Sequence, residues 1–203
     1  MFCELSSKRL TDGAAKLRAA LAFALTLVAI PVGAESPIYR VEPSRTNVEF
    51  VARQLGVFPA RGHFARMSGR IVYDPAGPAN SVDFDLVAAS VSTGWSARDA
   101  FIRSEEMFDA ERHPVIRFRS TRFTFAHDRP TRIDGEITLR GVTKPLSLTI
   151  GRFDCGRVRE DGREVCNAEV SGAIRRTDFG MDALVPLIGD DVELKFVVTA
   201  LRE

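Results

Sequence analysis

The sequence predicts an all-β domain, and three observations support this fold class. From residue 38 onward, apolar and polar residues alternate with a period of two, as in strands that bury one face. Turn-forming residues separate the alternating runs. Helical periodicity is confined to one short segment of the 203 residues. Regularly spaced short strands with so little helix indicate a sandwich or a barrel.

The longest alternating run lies near the C-terminus, and its apolar positions define one face of a strand. Those positions are Val192, Leu194, Phe196, Val198 and Ala200. Turns are expected at residues 74–78, at residues 127–130, and at Asp134-Gly135. Asp161-Gly162 predicts the tip of a hairpin that joins two further strands.

The N-terminal segment differs in kind from the rest of the chain. Residues 1–18 carry four basic residues, residues 19–30 form an uncharged apolar run, and small residues lead up to Ala34. This pattern predicts a secretory signal peptide at residues 1–34 and a single mature domain at residues 35–203. The apolar run is shorter than the ~20 residues that span a bilayer, so an uncleaved anchor is the alternative and no stable membrane span is expected after cleavage.

Composition and charge restrict the possible partners. Hydrophobic residues make up 45% of the chain and charged residues 27%, which is ordinary for a globular domain. The formal net charge of +1 provides no strong basic field. Nucleic acid is therefore not expected as a partner.

One segment, residues 96–109, interrupts the series of strands. Phe101, Met107 and Phe108 fall at roughly helical spacing, and Ser96 is a candidate N-cap. We expect one or two short helices here, which would close one end of a barrel.

Two cysteines remain after removal of the predicted signal peptide, Cys155 and Cys166. They flank a predicted turn, so they would lie at similar heights on adjacent strands. An even pair in an exported chain favours a disulfide. A redox-active pair or a metal site is the alternative, although C-x-x-C spacing is absent and no histidine lies nearby in the sequence.

The sequence contains no convincing catalytic set, and we predict no catalytic residue and no metal site. His63, His113 and His127 lack partners at metal-ligand spacing, although His63 could face the mouth of a barrel. No serine lies in a glycine elbow. The carboxylates of residues 99–111 alternate with arginines, which is typical of a solvated, ion-paired surface.

Several blocks of sequence occur in an order characteristic of one family. The blocks are Tyr39-Arg40-Val41-Glu42-Pro43, Val48-Glu49-Phe50, Arg98-Asp99-Ala100, Ile102-Arg103-Ser104, Met107-Phe108-Asp109, His113-Pro114-Val115-Ile116-Arg117-Phe118, Gly135-Glu136-Ile137-Thr138-Leu139-Arg140-Gly141-Val142-Thr143-Lys144-Pro145 and Arg176-Thr177-Asp178-Phe179-Gly180-Met181. Together they resemble the YceI-like family of periplasmic lipid-binding, or polyisoprenoid-binding, proteins. The likeness is collinear from about residue 39 to residue 201. The chain departs from the family pattern at Arg45 and at Arg53-Gln54.

The resemblance implies a lipocalin-like, eight-stranded antiparallel β-barrel around a long apolar cavity. The implied ligand is a polyisoprenoid chain such as a quinone tail, or a fatty acid or its amide, and no other cofactor is expected. The candidate ligand-binding residues are the inward-facing apolar ones and three at the barrel end: Phe50, Phe84, Leu86, Phe101, Met107, Phe108, Phe118, Leu139, Leu148, Phe196 and Val198. The same residues could instead fill a dry core.

Three hypotheses for function follow. The first is a periplasmic protein that binds, carries or sequesters a polyisoprenoid or similar amphiphile. The second is an interaction or stress-related protein with a packed barrel and no ligand. The third is an enzyme on a lipid-like substrate that uses His63 or the carboxylates of residues 99–111. A homodimer is possible in each case.

Overall fold

The computed structural model describes residues 36–75 and 79–203. The predicted signal peptide lies outside these residues. The described chain forms eleven strands and one α-helix, together with three short 3₁₀ turns. The elements are β1 (Ile38–Val41), β2 (Asn47–Gln54), β3 (Phe58–Phe64), β4 (Met67–Val72), β5 (Ser81–Val87), β6 (Val91–Ser92), α1 (Ser96–Arg103), β7 (Val115–Ala126), β8 (Arg129–Leu139), β9 (Val142–Val158), β10 (Glu164–Arg175) and β11 (Ile188–Arg202).

The eleven strands build an eight-stranded barrel because three barrel strands are each broken in two. Strands β1 and β2 both pair with β11, at its C-terminal and N-terminal parts respectively. Strand β4 joins β1 to β5, while β3 joins β2 to β6. Strands β1/β2, β3/β4 and β5/β6 are therefore single barrel strands with a local interruption. Strands β7 to β11 complete the ring with antiparallel neighbours throughout. The predicted eight-stranded antiparallel barrel is confirmed.

Alternation along the strands separates an inward apolar face from an outward polar face. In β8, for example, Ile133, Ile137 and Leu139 are buried while the intervening Glu136 is exposed. Most of the buried apolar side chains form one large cluster that extends from Val41 and Val48 to Leu194, and Tyr39, Cys166 and Ala200 form a second, small one. Because successive side chains point to opposite faces of a strand, the sequence pattern alone sets which residues enter the barrel.

Two predicted turns have different outcomes. His127 and Asp128 form the tight β7–β8 turn, and both adopt positive φ values of 49° and 51°. The turn expected at Asp134-Gly135 is wrong, because both residues lie within β8. A Cβ atom on Gly135 would lie 2.3 Å from the Arg119 carbonyl oxygen and 2.6 Å from Cζ of Phe118. Gly135 is thus required for close packing inside a strand, not for a turn.

The helical segment contains one α-helix, α1, which begins at Ser96 with Trp95 as its N-cap. The N-cap expected at Ser96 is therefore wrong by one residue. Asp99 holds the start of α1 by accepting hydrogen bonds from the Thr93 amide (2.7 Å) and the Thr93 hydroxyl. Met107 and Phe108 follow α1 in a turn region and pack against the core, as expected for the end of a barrel.

The predicted disulfide between Cys155 and Cys166 is present. The two residues are direct partners in the register of β9 and β10, next to an irregularity between Val165 and Cys166. The hairpin tip lies at residues 159–163, where Gly162 has a φ of 79°. The bridge thus fixes the β9–β10 hairpin at the barrel end opposite α1. Within the described ranges, none of the helices has the length and apolarity required to cross a membrane.

Candidate functional site

The barrel interior contains two adjacent cavities, which we call cavity 1 and cavity 2. Cavity 1 has a volume of about 100 Å³ and lies toward the disulfide end. Its lining is apolar, and it comes chiefly from strands β4, β5 and β7 to β11. It includes Ile71, Tyr73, Phe123, Ile133, Phe153, Cys166 and Ala168.

Cavity 2 has a volume of about 130 Å³ and lies toward α1. Apolar side chains from β2, β8 and β11 form most of its wall, and Phe101, Met107 and Phe108 close its end. It also contains polar groups, of which Gln54, Thr93, Arg98 and Arg176 are the main ones. Cavity 2 is thus the half of the interior whose lining includes polar residues.

The two cavities share part of their walls, since Leu86, Ile116, Ile137 and Phe196 line both. Each volume is several times the ~10–15 Å³ that holds one water molecule. Phe196 and Val198 point inward yet are only half-buried, whereas their neighbour Val197 faces outward and is exposed. Accessible area on inward-facing side chains shows that the interior is hollow. The sequence pattern could not distinguish this from a filled core.

All eleven candidate ligand-binding residues border these cavities. Phe84, Phe118, Leu148 and Val198 line cavity 1, and Leu86 and Phe196 line both cavities. Phe50, Phe101, Met107, Phe108 and Leu139 line cavity 2. Their contact with a ligand stays a prediction. The structure thus places all the candidates on the walls of the two adjacent cavities.

Sequence reasoning named Gln54 only as a departure from the family pattern, and Arg98 and Arg176 only as members of family blocks, so it assigned none of them to the cavity. Gln54 ends β2 on its inward face, and period-two alternation would have found it. Arg176 is only 2% exposed and lies in the 3₁₀ turn Arg176–Phe179 after β10. A charged residue in a turn is ordinarily predicted to face solvent, so no sequence signal apart from its family motif pointed to Arg176.

Arg176 is held by backbone carbonyls. Its Nε donates to the carbonyl of Gly189 (3.0 Å), and its Nη2 donates to the carbonyl of Ile188 (2.9 Å). Nη1 donates to the carbonyl of Met181 and lies 3.9 Å from the sulfur of Met107. Burial lowers the pKa of the Arg176 guanidinium from its ordinary value, because water no longer solvates its charge.

A third, more polar pocket lies at the disulfide end of the barrel. Tyr73 and Phe153 line both this pocket and cavity 1, and their rings pack edge to face with centroids 4.9 Å apart. Burial raises the pKa of Tyr73. This aromatic pair therefore separates cavity 1 from a more polar pocket that includes Arg129, Glu164 and Arg202.

The residues considered for catalysis do not converge on the cavities. His63 occupies an exposed position of β3, opposite Glu49 and Ser92. Asp109 is buried and forms an ion pair with Arg112 at 2.8 Å. Within the described residues, histidine, cysteine and carboxylate side chains form no cluster of three that could hold a metal ion.

The fold and interior define the class of protein: a closed antiparallel barrel whose hollow, largely apolar interior is shaped for a hydrophobic molecule. The chain belongs to the YceI-like family, because a YceI-like domain matches residues 39–200. It is 30% identical over 165 residues to a UPF0312 protein of Pectobacterium atrosepticum, covering 80% of this chain and 84% of that protein. A UPF0312 protein of Vibrio cholerae is 26% identical over 171 residues, covering 83% and 90%.

Solved structures have the same fold. The YceI protein of Campylobacter jejuni is 27% identical, with a TM-score of 0.61 over 71% of this chain and 85% of that one. BcnA of Burkholderia cenocepacia is 21% identical, with a TM-score of 0.64 over 78% and 98%. A polyisoprenoid binding domain from Saccharophagus degradans, implicated in plant cell wall breakdown, is 17% identical, with a TM-score of 0.61 over 81% and 98%.

Proposed function

We propose that this protein binds a polyisoprenoid or a similar long-chain amphiphile inside the barrel and carries or sequesters it in the periplasm. The observation that carries the proposal is the pair of adjoining apolar cavities along the barrel. Removal of apolar surface from water contributes about 25 cal/mol per Å². An apolar chain in cavities 1 and 2 would therefore bind without any specific polar contact.

The shape of the interior favours a slim, elongated ligand. An eight-stranded barrel is just wide enough for one small ligand. Strand β10 has 12 residues, which span about 40 Å along the strand. Because barrel strands are tilted by ~40° from the barrel axis, this length corresponds to about 30 Å along the axis. Cavities 1 and 2 lie one after the other along this length, so a chain of several isoprene units fits better than a compact molecule.

Two further observations support a carrier. The structural neighbour from Saccharophagus degradans is a polyisoprenoid binding domain. The hollow interior disfavours the alternative of a packed barrel that acts only through its surface. An enzyme on a lipid-like substrate is disfavoured because His63 and the Asp109 carboxylate lie outside the cavity linings.

Periplasmic localisation rests on the signal peptide predicted at residues 1–34 and on the family resemblance. The disulfide between Cys155 and Cys166 is consistent with an oxidising compartment. N-terminal sequencing of the protein recovered from the periplasmic fraction tests this prediction. A mature protein that begins near residue 35 is the expected result, and retention of residues 1–34 in the membrane fraction contradicts it.

The binding experiment compares a long and a short isoprenoid alcohol, geranylgeraniol and geraniol. The variant Ala168→Leu fills part of cavity 1, which Ala168 lines. We expect it to weaken geranylgeraniol binding about tenfold, which corresponds to an overpacking cost of about 1.4 kcal/mol. Geraniol fits in cavity 2 alone, so its affinity should change less than about threefold. Displacement of a neutral fluorescent probe measures both affinities.

The matched control is Ser171→Leu, which adds the same side chain at an exposed position of β10. It should leave both affinities unchanged. Native mass spectrometry of the wild-type protein should also detect a co-purified lipid. Empty wild-type protein that ignores both alcohols would overturn the proposed function, and an equal effect of the two leucine variants would place binding outside cavity 1.

A further inference from the structure

Arg176 places a positive charge at the end of a largely apolar chamber. The side chain is 2% exposed and lines cavity 2. Transfer of a charged group out of water is costly unless an opposite charge or several hydrogen bonds compensate it. Arg176 has hydrogen bonds to carbonyls, but among the described residues it has no carboxylate within ion-pairing distance.

The nearest negative charges are engaged elsewhere. Asp190 and Asp182 act on Arg176 only at a distance. Asp190 accepts hydrogen bonds from the Thr177 amide (2.9 Å) and hydroxyl (2.9 Å) and forms an ion pair with Arg175 (2.9 Å). The charge of Arg176 is therefore not neutralised by a direct partner in the parts of the chain that the structure describes.

The hydrogen-bonding capacity of Arg176 is only partly used. A guanidinium has five N–H groups. Three of those of Arg176 meet carbonyl oxygens, and a fourth meets only the Met107 sulfur, a weak acceptor, at 3.9 Å. The fifth has no acceptor among the described residues. Both Arg176 and Met107 line cavity 2, so the weak contact of Nη1 lies at the wall of the chamber.

A second cation borders the same chamber. Arg98 of α1 is half-buried, donates to the Thr93 hydroxyl (2.9 Å) and carbonyl (3.3 Å), and has no ion pair within the described residues. Glu49 and Arg61 also border cavity 2, but from the alternate positions of β2 and β3 that point away from the interior. The inward-facing charge of cavity 2 is thus positive.

We propose that Arg176 binds the head group of an anionic amphiphile, a carboxylate or a phosphate monoester, while the apolar tail extends into cavity 1. This inference rests on the proposed function and adds the chemical class of the ligand. A carboxylate or phosphate oxygen near Met107 would accept from Nη1 and Nη2 and supply the missing negative charge. Charge-assisted hydrogen bonds of this kind are the strong ones in proteins.

Arg176 also fastens the segment between residues 181 and 189 to the barrel, and a purely structural role would explain its carbonyl contacts. Arg140 provides the matched comparison. It donates to the carbonyls of Gly180 and Glu105, but it is not part of either cavity lining. Removal of Arg140 therefore tests the loss of an arginine that binds carbonyls without removing a charge from the chamber.

The experiment measures affinities for two matched pairs of ligands at pH 8: oleate with oleyl alcohol, and farnesyl phosphate with farnesol. Wild-type protein should bind each anion about 10- to 100-fold more tightly than its alcohol. Arg176→Met should lose this preference and keep its affinity for the alcohols within about threefold. Arg140→Met should keep the wild-type preference. The two anionic probes separate a carboxylate head from a phosphate head.

The outcomes distinguish this inference from the proposed function. Equal affinity of wild-type protein for anion and alcohol overturns the anionic head group but leaves chain binding intact. If the wild-type protein binds none of the four ligands, the proposed function itself is overturned. If Arg176→Met does not fold, Arg176→Lys is measured instead. Its preference for each anion over the matching alcohol should be smaller than that of the wild type, because an ammonium group lacks the planar, two-pronged donor geometry of a guanidinium. An unchanged preference in a folded Arg176 variant would leave the residue only structural.

Discussion

The two halves of the barrel interior differ in how they are built. Around cavity 1, long strands from β7 to β11 contribute inward-facing side chains at every second position, and the lining is apolar. Around cavity 2, broken strands, α1 and a 3₁₀ turn contribute the wall, and Gln54, Arg98 and Arg176 enter the interior. Regular strands thus produce a uniform apolar tube, whereas irregular elements introduce polar groups into it.

This difference suggests a division of labour. On the two proposals above, the disulfide half would select for chain length and apolarity, because its lining is apolar. The α1 half would select for the head group, because its lining includes Arg98 and Arg176. If the two halves act separately, a change in one half should leave the other unaltered.

The wall of cavity 1 depends on one close approach between strands. In Gly135→Ala, the new Cβ would meet the Arg119 carbonyl oxygen at 2.3 Å and the Phe118 ring at 2.6 Å. Real Cβ atoms do not approach backbone this closely, so β7 and β8 must separate. We expect a loss of about 3 kcal/mol in the free energy of unfolding, measured by urea denaturation.

Gly151→Ala is the matched control in the neighbouring strand β9. A Cβ there would have its nearest contact at 3.9 Å, to the carbonyl oxygen of Glu169. The substitution should leave stability unchanged or raise it by up to about 1 kcal/mol, because alanine restricts the unfolded chain. Similar losses for both alanine variants would contradict the packing role assigned to Gly135.

The disulfide should stabilise the cavity 1 half more than the α1 half. The bridge joins residues separated by 11 positions, and closing a loop of that size is worth about 2–3 kcal/mol on the chain-entropy estimate. The double variant Cys155→Ser/Cys166→Ser should lose that amount. Hydrogen exchange should accelerate at the ends of β9 and β10 that border cavity 1, while the α1 segment keeps its wild-type protection.

Treatment of wild-type protein with a thiol reductant provides an independent check, since it breaks the same bond without a substitution. The reduced wild type and the double variant should unfold at the same urea concentration. Equal loss of protection in α1 and in the β9–β10 hairpin would show that the two halves open together and would contradict their separation.

The contrast between the halves also explains how much the sequence could predict. Alternation at residues such as Phe196 and Val198 identified the barrel face correctly, because burial on a strand has a strict period of two. Gly135 was predicted to lie in a turn because glycine occurs both in turns and where strands approach closely. Its close contacts with the Arg119 carbonyl oxygen and the Phe118 ring exist only in the folded barrel, so the sequence could not decide between the two. Arg176 was missed because a 3₁₀ turn has no comparable pattern, and its burial depends on residues 181–189 folding over it.

The smallest expected effect is a shared sensitivity to acid, and it involves one carboxylate from each half. Asp99 fixes the start of α1 beside cavity 2, and the Thr93 hydrogen bonds lower its pKa from the usual 3.8. Asp134 lies on the outer wall of cavity 1, next to Ile133 in β8. The hydrogen bond from Ser147, followed by that from Arg132, lowers the pKa of Asp134 to about 2.

Each carboxylate has a lower pKa in the folded state than in the unfolded state. It therefore stabilises the fold fully at pH values above its unfolded-state pKa. This contribution is lost as the pH falls through its folded-state pKa. Stability should therefore decline from about pH 4, the unfolded value, to about pH 2. Asp99→Asn and Asp134→Asn should each make this decline shallower. Ser147→Ala should move the titration of Asp134 to higher pH, followed by NMR of its carboxyl carbon. An unchanged slope in both asparagine variants would show that neither half depends on its carboxylate, and a single flattened slope would locate the acid-sensitive half.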